Sequence, residues 1–168
     1  LQGKHVLVTA GPTQESLDPV RFISNHSSGK MGYALARAAR KLGAHVTLIS
    51  GPSQLRAPYE VDIIKIQNAQ GMFKQVLSYF DFQDYVIMAA AVGDYRPKEI
   101  NDQKIKKKNE RFDLELVKNE DILNYLGHHK TKQTICGFAM ETENVIENAK
   151  NKFFKKNCDL LVVNDLFE

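Results

Sequence analysis

The stretch Arg21-Phe-Ile-Ser-Asn-His-Ser-Ser-Gly-Lys-Met-Gly32 decides the fold class of this chain of 168 residues. It connects an apolar run, His5–Ala10, that predicts a buried strand to Met31–Leu42, whose spacing predicts a helix. Gly29 and Gly32 at the helix start let a ligand approach backbone N–H groups, where the positive helix end attracts phosphate. The stretch therefore predicts a strand–loop–helix unit that binds a phosphate or a nucleotide.

Side chains that bind anions or form hydrogen bonds are concentrated in this loop. They are Arg21, Asn25, Ser27, Ser28 and Lys30. A turn with only a structural role would not need all of them. The predicted phosphate or substrate loop comprises Ser27, Ser28, Gly29, Lys30 and Gly32.

Apolar runs that alternate with helical patterns extend this unit along the chain. The predicted strands are His5–Ala10, His45–Ser50, Val61–Ile66, Tyr85–Val92, Thr134–Met140 and Asp159–Asn164. The predicted helices are Met31–Leu42, Ala69–Tyr79, Asp121–Leu126 and Glu143–Lys155. This alternation predicts one α/β domain over residues 1–168, with a doubly wound, Rossmann-like, mostly parallel sheet and helices on both faces. Ligands of such sheets bind at the carboxyl ends of the strands.

The segment 95–111 interrupts the alternation and predicts a flap. It is polar, carries the basic run Lys104–Lys108 and lacks apolar periodicity. Lysines on a flap can close over a triphosphate, although a solvated basic face fits the pattern equally well. The alternating residues Phe112–Val117 then predict a strand with one solvated or partner-facing side, which would make the insertion a flap and dimerisation strand.

Composition limits the choice of partners and compartment. The net charge is only +3, because 20 acidic residues offset most of the 23 basic ones. This balance gives no reason to expect that the protein binds nucleic acid. Cys136 and Cys158 are expected to be reduced core thiols, and no spacing is typical of a metal site. The apolar run Tyr85–Val92 is too short to cross a membrane, and no signal peptide is visible, so we expect a cytoplasmic protein without a membrane partner.

Two common nucleotide signatures do not fit. Ser24 and Met31 stand where a P-loop needs glycine and Ser or Thr. The dinucleotide fingerprint needs a short turn and an acidic residue after the second strand, but this loop has roughly 20 residues. Ser50-Gly51-Pro52 follows the second strand instead. An NAD(P)-type oxidoreductase is therefore a disfavoured alternative, and a non-catalytic regulatory module is a third hypothesis.

Small residues at two other strand ends favour a nucleotide pocket. Ala89-Ala-Ala-Val-Gly-Asp-Tyr95 would let a base or sugar lie against the backbone, and Asp94 could accept hydrogen bonds from ribose hydroxyls. A turn aspartate explains Asp94 equally well. Phe138 in Gly137-Phe-Ala-Met-Glu-Thr142 could stack on a base, although most strand phenylalanines are core residues.

Six motifs in order give the chain a resemblance to a known family. They are Gly11-Pro-Thr-Gln-Glu15, Asp18–Gly32, Ala89–Tyr95, Lys104-Ile-Lys-Lys107, Asn119–Ile122 and Gly137–Thr142. The chain resembles the bacterial phosphopantothenoylcysteine synthetases over essentially its whole length. This resemblance implies a ligase of coenzyme A biosynthesis that joins 4′-phosphopantothenate to L-cysteine with CTP and Mg²⁺. It implies an acyl-cytidylate intermediate, with pyrophosphate and CMP as products.

The resemblance also implies roles for individual residues. Asn25 would hold the acyl-cytidylate, with Arg21 and the backbone near Ala91 assisting, and Lys104 would help to form it by binding the CTP phosphates. The implied CTP-binding residues are Met88, Ala89, Ala90, Asp94, Lys104, Glu120, Asp121, Ile122, Leu123, Phe138, Lys152 and Lys156. No residue is implied as a metal ligand. Gly93, where many relatives have Ala, and Glu120, where Pro is common, are departures that these roles tolerate.

The resemblance carries expectations about the rest of the protein. Family members continue past a segment like Val163–Asp165, so we expect the chain to be truncated at its C-terminus. In many bacteria the domain follows an FMN-dependent phosphopantothenoylcysteine decarboxylase in one polypeptide, and Leu1 in place of Met fits excision from such a fusion. A homodimer that pairs strands near the flap is also implied.

Overall fold

The computed structural model describes residues 1–106, 111–141 and 144–165, which form a six-stranded parallel sheet, two small antiparallel sheets and four helices. The strands are β1 (His5–Ala10), β2 (Gln14–Ser16), β3 (Phe22–Ser24), β4 (His45–Ser50), β5 (Asp62–Lys65), β6 (Tyr85–Met88), β7 (Tyr95–Pro97), β8 (Leu116–Lys118), β9 (Thr134–Glu141) and β10 (Leu160–Asp165). The helices are α1 (Lys30–Lys41), α2 (Ala69–Phe80), α3 (Ile122–His129) and α4 (Val145–Lys156). The predicted α/β fold is thereby confirmed, with helix and strand ends shifted by one to three residues at most positions.

The order of strands in the main sheet places a crevice beside its centre. The order is β10-β9-β6-β1-β4-β5, and every neighbouring pair is parallel. The chain leaves β1 in one direction through β4 and β5 and then returns to β6 on the other side. The winding direction therefore reverses between β1 and β6, and ligands bind at such switch points.

Two apolar layers hold the helices against the sheet. On one face Tyr33 and Ala36 of α1 pack with Val6, Val8 and Leu48. The residues of the other layer are Leu7, Ile49, Met72, Val76, Phe80, Val86, Met88, Ile122, Leu126 and Ile135, from the strands, α2 and α3. Because the central strands are buried on both faces, they appear in the sequence as continuous apolar runs rather than alternating ones.

Two of the helices, α2 and α3, begin at side-chain caps. Asn68 accepts a hydrogen bond from the amide of Gly71 at the start of α2, at 2.8 Å. Asp121 does the same for α3 by accepting from the amide of Asn124, at 3.0 Å. Such caps satisfy backbone donors that the first helical turn leaves unpaired. No helix in the described part of the chain is long and apolar enough to span a membrane.

The loops after β1 and β6 stay joined beyond the strand ends. The predicted strand Tyr85–Val92 is too long, because regular pairing with β1 stops at Met88. An isolated parallel bridge then joins Pro12 to Ala91. The amide of Ala91 donates to the carbonyl of Gly11 at 2.9 Å, and the amide of Thr13 donates to the carbonyl of Ala91 at 3.1 Å. The two loops that flank the switch point therefore form one unit.

The small sheets correct two predictions. The turn-rich stretch after β1 contains the antiparallel pair β2–β3, which the sequence did not predict. The predicted flap begins with β7, which pairs antiparallel with β8, so the irregular part starts only after Pro97. The strand predicted at Phe112–Val117 is also wrong in extent, because only Leu116–Lys118 pairs with β7. Lys107 and Lys108 lie outside the described residues.

Candidate functional site

A cleft of about 530 Å³ lies beside the ends of β6, β9 and α3. It brings together many residues that the sequence predicted for a nucleotide: Met88, Ala90, Asp94, Glu120, Asp121, Ile122, Leu123, Phe138, Lys152 and Lys156. Further lining residues, to which the sequence assigned no role in CTP binding, are Val92, Gly93, Tyr95, Lys118 and Asn119. The cleft thus combines an apolar wall with a charged one, which suits a base and its phosphates.

A hydrogen-bonded network shapes one wall of the cleft. The side-chain amide of Asn119 donates to the carbonyl of Gly93 at 2.8 Å, and its main-chain amide donates to the carbonyl of Asp94, also at 2.8 Å. Arg96 donates to the side-chain oxygen of Asn119 at 3.0 Å and to the carbonyl of Lys118 at 2.7 Å. The loop that carries Asp94 is therefore fixed to the strand that precedes α3.

Two lysines of α4 form the basic part of the cleft. Lys152 donates from Nζ to the carbonyl of Phe138 at 3.2 Å, which anchors it to β9. Lys156 forms an ion pair with Asp121, and its side chain is only 14% exposed. Because both ammonium groups are held at the cleft by protein oxygens, they are placed in advance for an anion.

The Lys156–Asp121 pair sets the ionisation of the carboxylate. Partial burial acts to raise the pKa of Asp121, but hydrogen bonds from Lys156 and from the amide of Asn124 outweigh it. The pKa of Asp121 consequently lies below its ordinary value, and the group is a carboxylate at neutral pH. The pair is therefore ionic at neutral pH.

The predicted phosphate or substrate loop leads from β3 into α1, and its polar side chains are exposed. The side-chain amide of Asn25 donates to the carbonyl of Val92, a lining residue of the cleft, at 3.2 Å. The hydroxyl of Ser27 accepts from the amide of Gly29 at 3.3 Å, and that of Ser28 accepts from the amide of Lys30 at 3.4 Å. The loop thus reaches the rim of the cleft, while its serines cover amides at the helix start.

The two glycines of this loop are required by the backbone. Gly29 has a φ of 79°, in the left-handed region that favours glycine. A Cβ on Gly32 would lie 2.5 Å from the Cβ of Ala10 and 2.8 Å from the carbonyl oxygen of Thr9. Gly32 therefore lets α1 start against the end of β1, which brings the helix N-terminus to the switch point.

Comparison with known proteins agrees with this architecture. Residues 1–168 match the family described as the DNA/pantothenate metabolism flavoprotein C-terminal domain. The chain belongs to this family.

Curated relatives of the chain include coenzyme A biosynthesis bifunctional proteins. The chain is 50% identical over 167 residues to CoaBC of Bacillus subtilis (strain 168), covering 99% of this chain and 41% of that protein. It is 48% identical over 167 residues to CoaBC of Haemophilus influenzae, covering 99% of this chain and 42% of that protein. A crystal structure of the C-terminal domain of a CoaBC superimposes with a TM-score of 0.88 at 47% identity, covering 98% of this chain and 78% of that one. The chain thus spans less than half the length of these curated relatives.

Several predicted residues of this family member lie outside the cleft lining. Ala89 and Ala91 flank the lining residue Ala90, and the main-chain groups of Ala91 bond to the loop after β1. Lys104 is exposed on the irregular segment after β7. Arg21 forms an ion pair with Asp18 in the hairpin of β2 and β3. It also donates to the carbonyl of Ile105 at 2.7 Å, so it connects this hairpin to the segment that carries Lys104.

Three residues with structural roles at the site were given no role by the sequence reasoning. Asn119 and Arg96 fix the cleft wall, and Asp18 holds Arg21. The spacing of Asp18 and Arg21, three residues apart, is a signal that could have suggested the ion pair. Nothing in the sequence indicates that Arg96 contacts Asn119, because 23 residues separate them.

Metal ligands and thiols do not form a second centre in the described part of the chain. No group of three or more His, Cys, Asp or Glu side chains there could hold a metal ion. Cys136 and Cys158 are free, and burial raises the pKa of both thiols. Raised pKa values keep the thiols protonated and weakly nucleophilic.

Proposed function

We propose that this chain is the synthetase part of a coenzyme A biosynthesis enzyme. It would join 4′-phosphopantothenate to L-cysteine at the expense of CTP, giving phosphopantothenoylcysteine, CMP and pyrophosphate. The observation that carries this proposal is the lysine-lined cleft beside the ends of β6 and β9, with the amide of Asn25 bonded to its rim at Val92. The bifunctional relatives named above support the proposal.

CTP would occupy the cleft. The apolar side chains of Met88, Leu123 and Phe138 offer a surface for the base, and Asp94 can accept hydrogen bonds from the ribose. The phosphates would lie toward Lys152 and Lys156, whose ammonium groups neutralise charge. The amides from Glu120 to Leu123, at the start of α3, would add to this binding because a helix N-terminus attracts anions.

Phosphopantothenate would bind from the side of the predicted phosphate or substrate loop. Ser27, Ser28 and Lys30 are exposed at the start of α1, where hydroxyl and ammonium donors suit its phosphate. The loop joins the cleft through Asn25, and through the main-chain bonds of Ala91 to Gly11 and Thr13. This arrangement would bring the substrate carboxylate to the CTP phosphates.

The reaction would proceed in two displacements. A carboxylate oxygen of phosphopantothenate attacks the α-phosphorus of CTP, and the bond to the bridging oxygen breaks with release of pyrophosphate. The amine nitrogen of cysteine then attacks the acyl carbon, the bond to the CMP oxygen breaks, and the amine loses a proton. Asn25 and Arg21 would hold the acyl-cytidylate between the steps, while Lys104 would bind the phosphates that leave.

The carboxylates on the cleft wall fit magnesium that arrives with the nucleotide. Magnesium is usually held by substrate phosphates together with one or two protein carboxylates. Glu120 lines the cleft and would hold it. When bound, the ion would offset negative charge on the phosphates.

Two further proposals concern the assembly. The small sheets carry exposed apolar side chains, among them Phe22, Ile23, Tyr95 and Leu116, which favour a homodimer through this face. The bifunctional relatives, of which this chain spans less than half, favour fusion to an FMN-dependent decarboxylase. We propose that the whole protein acts in the cytoplasm.

The decisive experiment follows pyrophosphate and amide formation with CTP, Mg²⁺, phosphopantothenate and cysteine. Pyrophosphate release is expected to require phosphopantothenate, and amide formation is expected to require cysteine as well. Release that proceeds equally without phosphopantothenate would indicate a simple nucleotidase and contradict the proposal. Replacing CTP by ATP in the same assay determines the base preference.

A dinucleotide-binding oxidoreductase, the disfavoured alternative, is not supported by the end of β4. Ser50 ends β4, where a dinucleotide enzyme needs an acidic residue for the ribose, and it is buried. Titration with NAD⁺ and NADP⁺ is expected to show no binding. Saturable binding of either would favour the alternative.

A further inference from the structure

Asp18 is a buried carboxylate that none of the roles above uses. It lies in the turn between β2 and β3, and its side chain is 0% exposed. Oδ1 accepts from the amides of Val20 and Arg21, both at 2.8 Å. These two bonds hold the turn itself, and they leave the second oxygen for more distant partners.

The second oxygen of Asp18 joins two parts of the chain. Oδ2 accepts from Nε and Nη2 of Arg21, at 3.0 Å and 2.6 Å, and from the amide of Ile105 at 3.1 Å. Nη2 of Arg21 also donates to the carbonyl of Ile105 at 2.7 Å. Asp18 therefore accepts from the amide of Ile105, and Arg21 donates to its carbonyl, so the pair satisfies both main-chain polar groups of that residue.

A second contact reinforces this connection. The amide of Asn101 donates to the carbonyl of Leu17 at 2.9 Å, four residues before Ile105. The irregular segment after β7 is thus fixed to the hairpin at two points, and Lys104 lies between them. The side chain of Arg21 remains 45% exposed, so the same guanidinium can still meet an anion.

We propose that Asp18 is a positioning residue that fixes Arg21 and Lys104 relative to one another for the transfer of the nucleotidyl group. The inference rests on the proposed function, because it assigns Asp18 a part in that reaction. The contacts themselves do not depend on the reaction. The carboxylate of Asp18 connects the guanidinium of Arg21 to the main chain of Ile105, beside Lys104. Positioning of this kind places charged groups before the substrate binds, so that little reorganisation is needed later.

Asp18 is not suited to acid–base catalysis. Burial acts to raise its pKa, but hydrogen bonds from the amides of Ile105 and Val20 and from Arg21 outweigh it, so the pKa lies well below its usual range. A carboxyl group whose pKa lies so far below neutral pH does not exchange protons during turnover. Its part in the reaction would be exerted through the groups that it holds.

The first test compares two variants of the full chain, each of which disrupts one arginine–carboxylate ion pair. Asn at position 18 keeps one acceptor oxygen but turns an NH₂ group toward the N–H donors of Arg21 and Ile105. Asp18→Asn is expected to lower kcat/KM for CTP in pyrophosphate release by about tenfold or more. Glu60→Gln, which breaks the exposed pair with Arg40 away from the cleft, is expected to change it by less than about twofold. Equal effects of the two variants would overturn the proposal.

A double-variant comparison distinguishes positioning from a general structural role. If Asp18 acts by placing Lys104, then Asp18→Asn should add little once the lysine is gone. The variant Asp18→Asn with Lys104→Ala is expected to lie within about twofold of Lys104→Ala alone. If the fold-decrease in kcat/KM of the double variant equals the product of the decreases in the two single variants, the proposal is overturned.

Hydrogen exchange tests the geometry without any assay of activity. The amide of Ile105 is protected by Asp18, so its exchange in Asp18→Asn is expected to be about tenfold faster or more. An unchanged rate would overturn the inference even if the enzyme is active. If the wild-type chain releases no phosphopantothenate-dependent pyrophosphate, the proposed function fails, and the exchange rate alone still decides the geometric claim.

A second variant applies if Asp18→Asn does not fold. Ile105→Pro removes the amide that donates to Asp18 and leaves both Asp18 and Arg21 in place. It lies on an irregular segment, so the fold is expected to persist. Its kcat/KM for CTP is expected to fall by about fivefold or more. A wild-type value in a folded Ile105→Pro variant would overturn the proposal.

Discussion

The side-chain amide of Asn25 donates a hydrogen bond to the main-chain carbonyl of Val92 across 3.2 Å. This bond joins the loop before α1 to the loop after β6, on the two sides of the switch point. Val92 lines the cleft, so this bond holds Asn25 at the rim of the cleft.

Exchange of this amide for an acid is expected to separate the two steps of the reaction. Asn25→Asp cannot donate to Val92 and adds negative charge beside an anionic intermediate. We expect pyrophosphate release to stay largely intact, because the lysines that bind CTP are unchanged. Amide formation is expected to fall by about 100-fold or more, the usual effect of losing one donor to a reacting group.

Single-turnover assays of pyrophosphate and of phosphopantothenoylcysteine measure the two steps of Asn25→Asp separately. Gln70→Glu makes the same amide-to-acid change at an exposed position of α2 and is expected to leave both unchanged. Equal loss of both products in Asn25→Asp would refute the division of roles.

The ion pair of Lys156 and Asp121 leads to a prediction about CTP binding. Lys156→Met keeps the length of the side chain but removes the charge, so KM for CTP is expected to rise by about tenfold. The pKa of Asp121 is expected to rise toward its ordinary value, because it loses a hydrogen bond that lowers it. Lys155→Met, at an exposed neighbouring position of the same helix, is the matched control. Steady-state kinetics with varied CTP compare the two, and equal KM values would argue against a phosphate contact.

The sequence predicted the central sheet well because its signal is local. β1 and β4 have the predicted bounds, since buried parallel strands appear as continuous apolar runs. β2 and β3 were missed because Gln14–Ser16 and Phe22–Ser24 are three-residue strands around a turn rich in Pro and Asp, without a repeating pattern.

The site could be predicted only in part for a related reason. Asp94 and Phe138 were suggested by their places at strand ends, and the structure locates both in the cleft. Lys152 and Lys156 were assigned by resemblance alone, because lysines near the end of a helix are ordinarily solvated. The link between Asp18 and Ile105 joins residues 87 apart, and no local pattern predicts such a contact.

A stability prediction concerns Gly32. Alanine there would place a Cβ 2.5 Å from the Cβ of Ala10 and 2.8 Å from the carbonyl of Thr9, so α1 must move away from β1. Gly32→Ala is expected to lower the free energy of unfolding by about 1–3 kcal/mol, as overpacking usually does. Urea denaturation measures the change, with Met31→Ala at the adjacent, 49% exposed position as the control. Equal stability of Gly32→Ala and the wild type would show that the helix can shift without cost.

The depressed pKa of Asp18 predicts how the stability difference between wild type and Asp18→Asn changes with pH. A carboxyl whose pKa is lowered on folding stabilises the protein above its unfolded pKa of about 3.9 and loses this contribution as pH falls further. The wild-type chain is therefore expected to have the higher Tm at about pH 7, and the gap should narrow below about pH 4. Asp113→Asn, which breaks an exposed pair with Arg111, should show almost no gap at any pH. Thermal unfolding of the wild type and the two variants from about pH 7 to below about pH 4 measures these differences in Tm. A difference between wild type and Asp18→Asn that stays constant with pH would contradict the role of ionised Asp18 in holding the turn.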